Sequence, residues 1–380
     1  MKGFRRNGNV NKQRSNTTTI GGFDHIQAVT VGGGFPVVIQ TMWKDRLSFA
    51  DLEGPLGEDT CFRINRLRDM GCGLLRFAVP DLEAAEILGN LASRVSLPLV
   101  ADIHFDYRIA LRCLDFGIAK IRINPGNIGN RANIEKVLSK AASKSRPLRI
   151  GVNAGSLPLD LRRSVEEGRT DRTEALVVAA ERELALFEEF GFSQVILSMK
   201  ASSIADTIKA NRILADRTDV PLHIGVTEAG PLIAGVVRNA VGLHALLSEG
   251  IGDTIRVSLS DTMENEVIAA REILGAVADS PGNEVKRQGA AVISCPRCGR
   301  NSFDTHAFTQ RWQNVLYTIQ KPITIAIMGC AVNGPEEARY ADLGITGAGS
   351  KVLLFCHGKV IKTIDASEAD AAFAEALENL

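Results

Sequence analysis

"LPLVADIHF", Leu97 to Phe105, is the stretch that decides the fold. Its apolar run, Leu97 to Ala101 broken only by Pro98, ends abruptly in Asp102 and His104. A short strand that is apolar at successive positions suits burial on both faces, as in a parallel sheet covered by helices. Polar residues at its carboxyl end are out of place in a core and mark the edge of a site.

The same unit recurs on either side. "FPVVIQTM" (35–42) and "GLLRFAV" (73–79) precede it; "IAKIRINPG" (118–126), "LRIGVNAG" (148–155), "QVILSMKAS" (194–202), "LHIGVTEAG" (222–230) and "DTIRVSLSD" (253–261) follow. Between them lie helical segments such as "DLEAAEILGNLASRV" (81–95) and "RTEALVVAAERELALFEEF" (172–190), with apolar residues at three- and four-residue steps. Eight strand-and-helix units over about 250 residues predict a closed (β/α)8 barrel, the TIM-barrel class of α/β fold, rather than an open doubly wound sheet.

The pattern stops after Gly275. "AVADSPGNEVKRQG" (276–289) reads as a linker. Beyond it, "PITIAIMG" and "KVLLFCHG" read as strands and "DASEADAAFAEALENL" as a helical tail, a small α+β domain. The expected division is a disordered basic tail over 1–18, a barrel over 19–277, a linker over 278–289 and a second domain over 290–380. The chain of 380 residues is long enough for two cores. Lys+Arg and Asp+Glu both number 44, so bulk charge gives no reason to expect nucleic acid or an anionic membrane. No apolar run reaches membrane-spanning length and no secretory segment is evident. Seven cysteines argue against a disulfide framework. Cys61, Cys72, Cys113 and Cys356 read as buried small hydrophobes.

In a TIM barrel the active site lies at the carboxyl ends of the strands. Those ends carry Gln40, Arg76, Asp102, His104, Arg122, Asn124, Asn153, Lys200, Glu228, Arg256 and Ser258. Arg76, Arg122, Lys200 and Arg256 are cations, and their convergence on a neutral protein implies a strongly anionic ligand, with arginine forks suited to phosphate. Asp102 and His104, two apart, point to one side of their strand. Glu228 has the position and acid type of a proton donor. The tight turn "INPGNIG" (123–129) offers backbone N–H groups to an anion.

The second domain opens with "SCPRCGR", a metal clip of Cys295 and Cys298. Cys330, 32 residues past Cys298 in "IMGCAVNGPEEA", is the candidate third ligand. Cys356 or a carboxylate of "GPEEA", which reads as a helix start, supplies the fourth. Three thiolates with a labile fourth ligand suit an open, catalytic site; zinc and an iron–sulfur cluster both fit on chemistry alone.

Taken together, "RFAVP", "ADIHFD", "IRINPGNIG", "GVNAGSL", "LSMKAS", "GVTEAG", "GDTIRVSL", "SCPRCGR" and "MGCAVNGPEEA" resemble the 4-hydroxy-3-methylbut-2-en-1-yl diphosphate synthase family of the non-mevalonate isoprenoid pathway. The resemblance covers nearly the whole chain after its first eighteen residues or so. It implies a [4Fe–4S] cluster held by Cys295, Cys298, Cys330 and Glu337, with Glu336 standing where the family more often has glycine. It implies reductive ring opening and dehydroxylation of 2-C-methyl-D-erythritol 2,4-cyclodiphosphate to (E)-4-hydroxy-3-methylbut-2-enyl diphosphate, with electrons from flavodoxin or ferredoxin. Arg76, Arg122, Lys200 and Arg256 would hold phosphoryl oxygens with Asn124, Asn153 and Ser258, while Asp102 and His104 contact or orient the substrate and Glu228 protonates the departing hydroxyl. The family also implies a head-to-tail homodimer, and the short passage between domains matches its bacterial form. The competing reading is a pterin- or folate-binding barrel enzyme with an accessory zinc domain.

Overall fold

The computed structural model describes residues 15–153, 155, 157–201, 203–280 and 287–380. The chain divides into two compact units, the first ending at Asn283 and the second beginning at Glu284.

The first unit opens with an antiparallel pair, β1 (Thr18–Ile20) and β2 (Val29–Val31). Eight parallel strands follow: β3 (Val38–Met42), β4 (Cys72–Ala78), β5 (Leu99–Asp102), β6 (Lys120–Ile123), β7 (Leu148–Asn153), β8 (Val195–Lys200), β9 (His223–Ile224) and β10 (Thr254–Ile255). Each falls on one of the eight stretches read from the sequence, with β4 starting one residue earlier, at Cys72. Their order, β8-β7-β6-β5-β4-β3-β10-β9, is closed by a parallel bridge between Leu197 and Leu222, with the Leu197 N–H donating to the Pro221 carbonyl at 2.9 Å. The unit is a TIM barrel.

Strands such as "LVAD" and "KIRI" are buried at every position, one face by the barrel interior and the other by helices. The covering helices begin where short polar side chains satisfy their first N–H groups: Asp81 accepts from Ala84, Ser203 from Asp206 and Thr262 from Asn265. Their inner faces are apolar, as with Ala85, Ile87, Leu88, Leu91 and Ala92 of Leu82–Ala92.

Period two along each strand sorts the interior into layers. Leu74 lies two residues before Arg76, Val100 two before Asp102 and Ile196 four before Lys200, so all share the inward face. These three pack with Ile20, Ile26 and Val31, with Phe23 and Val38 against them. The β1–β2 pair therefore plugs the amino-terminal end of the barrel with an apolar floor, and polar residues occupy the layers above. Residues 15–18, assigned above to a disordered tail, are tied down: Ser15 Oγ donates to Asp253 at 2.7 Å, the Asn16 N–H to the Asp219 carbonyl at 2.6 Å, and Thr18 opens β1. The remainder of that tail, 1–14, and the middle of the linker, 281–286, lie outside the described residues. The helix before that linker is Met263–Ala278.

The second unit is one sheet of five strands, not two: β11 (Ala291–Ser294), β12 (Thr324–Met328), β13 (Leu343–Ala348), β14 (Lys351–Cys356) and β15 (Lys359–Asp365), in sequential order. β11, β12 and β13 are parallel; the last two pairings are antiparallel. The helices Thr305–Leu316 and Ala369–Glu378 cover one face through Phe308, Leu316 and Phe373, which pack on Ile325, Ile327, Ile345 and Leu354. The other face pairs Ala326 and Phe355 with Ala338 and Ala341. β13 escaped the sequence reading because "LGITGA" is broken by glycines. They are there for close approach, since a Cβ on Gly344 would collide with the Phe355 ring.

Truncation of the floor is expected to be costly. Ile20→Ala, at a fully buried position, should lower the stability of the barrel by about 2–4 kcal/mol, read from the midpoint of its urea transition.

Candidate active site

The carboxyl ends of the barrel strands bring together most of the polar residues read from the sequence. Asp102, at the end of β5, is the hub. Its Oδ1 accepts from Arg122 Nη1 at 2.9 Å, and its Oδ2 lies 3.5 Å from Arg76 Nε. His104 Nε2 stands 3.0 Å from Arg122 Nη1 and 3.7 Å from Asp102 Oδ1. The His104 ring thus borders both the guanidinium and the carboxylate. Burial works to raise the Asp102 carboxyl, but the His104 ring and the charges of Arg76, Arg122 and Arg149 outweigh it and hold the group well below the usual carboxylate range. Burial pulls the Arg76 guanidinium down to about 10, with Asp102 opposing.

Arg256, at the end of β10, is held by a second buried acid, Glu266, at 3.2 and 3.4 Å. Lys200 ends β8, with Asn153 as its register partner on β7. Asn124 is buried, and Ser258 is half-buried just beyond β10. Glu228 is exposed in the loop after β9 and adopts a left-handed backbone with φ of 53°. That conformation is uncommon for a residue with a side chain and is found most often at functional positions.

Inward-facing residues deeper in the barrel went unread, although the period-two signal was present. Lys120 is two before Arg122, Arg149 two before Gly151, and His223 two before Gly225; all three are buried. Lys120 Nζ reaches Gln40 Oε1 across the interior at 3.3 Å. Arg149 Nε and Nη1, Gln40 Nε2 and His223 Nε2 are buried without a protein partner. His223 Nδ1 lies 2.7 Å from Thr254 Oγ1. Glycines on β7 and past β9 make room for the long cations. A Cβ on Gly151 would collide with the Arg122 guanidinium, and one on Gly225 would sit 3.1 Å from Lys200 Nζ.

Burial first, and then the neighbouring cations Arg149 and Arg76, push the Lys120 amine well below its ordinary value. Burial again, with Arg149, Arg76, Arg256 and Arg122, does the same to Lys200. His223 is likewise lowered by burial and then by Lys200, Arg149, Lys120 and Arg76, and is neutral. The largest charge effects on these three groups all come from cations. The interior is rich in donors and poor in acceptors, an environment built for an anion.

The turn at 123–129 does not serve that anion through its backbone. The Gly126 N–H donates to Glu183, the Asn127 N–H to the Asn124 carbonyl and the Ile128 N–H to the Pro125 carbonyl. These donors are committed within the protein, so the expected backbone cradle is absent at those three positions.

In the second unit, the parallel pairing of β11 with β12 puts two thiols at neighbouring strand ends. Cys295 follows β11, its N–H donating to the Ile327 carbonyl at 2.9 Å, and Cys330 lies two residues beyond β12. The segment between folds back: the Asn301 N–H donates to the Cys298 carbonyl and the Ser302 N–H to the Gly329 carbonyl. A Cβ on Gly329 would collide with Asn301 Oδ1 and sit 3.6 Å from Cys295 Sγ. Asn301 Oδ1 is buried there without a partner. Cys298 is exposed and Cys330 buried. The "GPEEA" stretch is not an α-helix start. It is a single wide turn, Asn333–Glu337, with the Cys330 carbonyl accepting from the Gly334 N–H and from Thr346 Oγ1, and with Glu336 and Glu337 exposed. Among the described residues, no three His, Cys, Asp or Glu side chains stand close enough to share one ion. Four irons, each taking its own ligand, allow a wider spacing. Cys72 and Cys113 are buried as expected, their thiols pushed up to about 12 by burial. Cys61 and Cys356 are only half-buried, and Cys356 Sγ donates to the Asp342 carbonyl at 2.6 Å.

A TIM barrel with a cation-lined mouth, in a chain whose second unit presents thiols at its strand ends, defines an enzyme of the class that takes an anionic substrate. Residues 24–271 match the GcpE TIM-barrel domain and residues 291–379 the GcpE protein C-terminal domain. The chain belongs to the GcpE family. It is 48% identical to the 4-hydroxy-3-methylbut-2-en-1-yl diphosphate synthase (flavodoxin) of Treponema pallidum (strain Nichols), over 97% of this chain and 92% of that protein. It is 46% identical to the synthase of the same name from Treponema denticola, over 96% and 98%. A dihydropteroate synthase from Thermus thermophilus aligns with 69% of this chain and 97% of its own at 16% identity and a TM-score of 0.43, too low to bear on function. The pterin- or folate-binding alternative falls with the family membership. Among the described residues no helix is long and apolar enough to cross a membrane.

The depressed amines carry a sign that can be measured. Burial and the surrounding cations lower Lys120, Lys200 and His223 in the free protein, and a bound anion opposes that lowering. Binding of inorganic diphosphate is therefore expected to take up protons over the pH range in which these groups titrate, and to weaken as pH rises through it. Calorimetry in buffers of different ionisation enthalpy checks this; proton release would contradict it.

Proposed function

We propose that the chain reduces 2-C-methyl-D-erythritol 2,4-cyclodiphosphate to (E)-4-hydroxy-3-methylbut-2-enyl diphosphate, opening the ring and losing one hydroxyl as water as two electrons enter. The observation that carries the proposal is the barrel interior. Arg76, Arg122, Arg149, Lys200 and Arg256 line it, with Asp102 and Glu266 as its buried acids. Full-length identity to synthases of that name supports the same reading.

In this proposal Arg76, Arg122, Lys200 and Arg256 bind the phosphoryl oxygens, with Asn124, Asn153 and Ser258 as neutral donors. Arg149, two residues short of Gly151 on the same face, joins them from below. Asp102 fixes the forks of Arg76 and Arg122 so that little rotamer freedom is lost on binding. His104, beside Arg122 and Asp102, contacts or orients the substrate. Glu228, exposed at the rim on a left-handed backbone, delivers the proton to the departing hydroxyl.

Cys295, Cys298 and Cys330 would hold a [4Fe–4S] cluster with Glu337 as its oxygen ligand. The residues fit the group: thiolates are the usual ligands of such clusters, the parallel pairing of β11 with β12 puts Cys295 and Cys330 at neighbouring strand ends, and Glu337 is exposed. When bound, the cluster would supply electrons one at a time, delivered by flavodoxin as in the relatives' names. A cytoplasmic head-to-tail homodimer, the barrel of one protomer served by the cluster unit of its partner, completes the proposal.

Anaerobic turnover of the cyclodiphosphate with a one-electron reductant tests the reaction. Anaerobically purified protein should carry about four iron and four sulfide per chain; zinc alone would overturn the cluster. Arg122→Met should weaken cyclodiphosphate binding at least about tenfold and leave the cluster absorbance intact, whereas Glu337→Ala should leave affinity intact and make the cluster labile. For the dimer, Cys330→Ser and Arg122→Met chains, each impaired alone at low substrate, should regain activity when refolded together. No recovery would place both halves of the site in one chain.

A further inference from the structure

Glu266 stands at the end of no barrel strand, and no strand pattern points to it. It lies in the first turn of the helix Met263–Ala278, with a fully buried carboxylate. That carboxylate accepts from Thr41 Oγ1 at 2.6 Å, Lys44 Nζ at 2.7 Å, the Leu259 N–H at 3.0 Å, and Arg256 Nη2 and Nε at 3.2 and 3.4 Å. Lys44 Nζ also donates to the Leu259 carbonyl at 2.7 Å. Lys44 is two residues past the end of β3, in step with the inward-facing Gln40 and Met42, and is partly exposed. Two of its three ammonium donors are thus committed to the protein, and one remains for a ligand.

The arrangement mirrors that of Asp102. One buried acid gathers Arg76 and Arg122; the other gathers Arg256 and Lys44. Arg256 is within the field of Arg76, Arg149 and Lys200, which repel it. Only an acid on its outer side keeps its guanidinium at the mouth when no substrate is there.

We infer that Glu266 is a positioning residue for substrate binding, holding Arg256 and Lys44 towards the phosphoryl groups, and that Lys44 is a further phosphoryl contact. This rests on the cyclodiphosphate reading above. The sign of its effect separates it from a plain charge effect. Removing a negative charge near an anionic ligand should by itself tighten binding, so weaker binding reports lost positioning.

The test is calorimetric affinity for the cyclodiphosphate without reductant, with turnover measured separately. Glu266→Gln should weaken affinity about tenfold while kcat at saturating substrate stays within about twofold. Glu266→Asp, which keeps the charge but draws it back by one methylene, should also weaken affinity, and it serves if the glutamine variant fails to fold. In an Arg256→Met, Lys44→Met background the Glu266 effect should largely vanish, because there is nothing left to position. Thr41→Val, which removes a donor to the same carboxylate without touching either cation, should bind normally. Unchanged or tighter binding by both Glu266 variants, or a full additive loss in the double background, would overturn the inference. Failure of the unaltered enzyme to bind the cyclodiphosphate would instead remove the functional reading beneath it.

Discussion

Like charges buried together are the constraint around which the barrel is organised. Arg76, Arg122, Arg149, Arg256, Lys120 and Lys200 share one interior whose buried acids are Asp102 and Glu266. Charges in such a medium are poorly screened, and desolvation disfavours each one. The protein answers in two ways. Two carboxylates each gather a pair of cations near the rim, and the deeper amines Lys120 and Lys200 are driven towards their neutral forms. What remains is a chamber of donors, several of them unpartnered, whose missing element is an anion. Stability has been set against affinity: the ligand supplies the acceptors that the fold withholds.

The rest of the first unit serves that chamber. The β1–β2 plug keeps water from the floor with Ile20, Val31 and Leu74, so the polar layers open at one end only. Glycines at 151 and 225 leave room for guanidinium and ammonium groups to cross the interior. The second unit solves a different problem with the same device. Parallel pairing of adjacent strands brings Cys295 and Cys330, far apart in sequence, to neighbouring strand ends, and the Cys330 carbonyl then anchors the turn that carries Glu336 and Glu337.

Much of this was legible in the residues. The eight apolar runs appear as eight strands because a strand covered on both faces must be apolar almost throughout. Arg76, Asp102, Arg122 and Lys200 stood out as polar endings to such runs. Lys120, Arg149 and His223 carried the same signal one step deeper, but a charge inside an apolar run, as in "KIRI", reads as an interruption unless the chamber behind it is known. Glu266 and Lys44 carried none. An acid in the first turn of a helix and a lysine after a strand are ordinary surface features in sequence. β13 was hidden for the opposite reason, because its glycines serve close approaches from elsewhere, Gly344 to the Phe355 ring of the next strand and Gly347 to Ser302 and Phe303.

By itself the sequence determined the periodicities: which runs are strands, which segments are helices, and which side of each strand a residue faces. It determined the thiol spacing and, through family membership, the chemistry. Only the tertiary structure decided which charges meet. Whether Arg256 is bare or held, whether the Gly126 N–H is open to a ligand or taken by Glu183, and whether Glu266 faces water or the mouth all depend on residues distant in the chain. Local sequence sets backbone geometry through short-range sterics, but electrostatic partnership is a matter of distance in space, and closure of the barrel is what sets those distances.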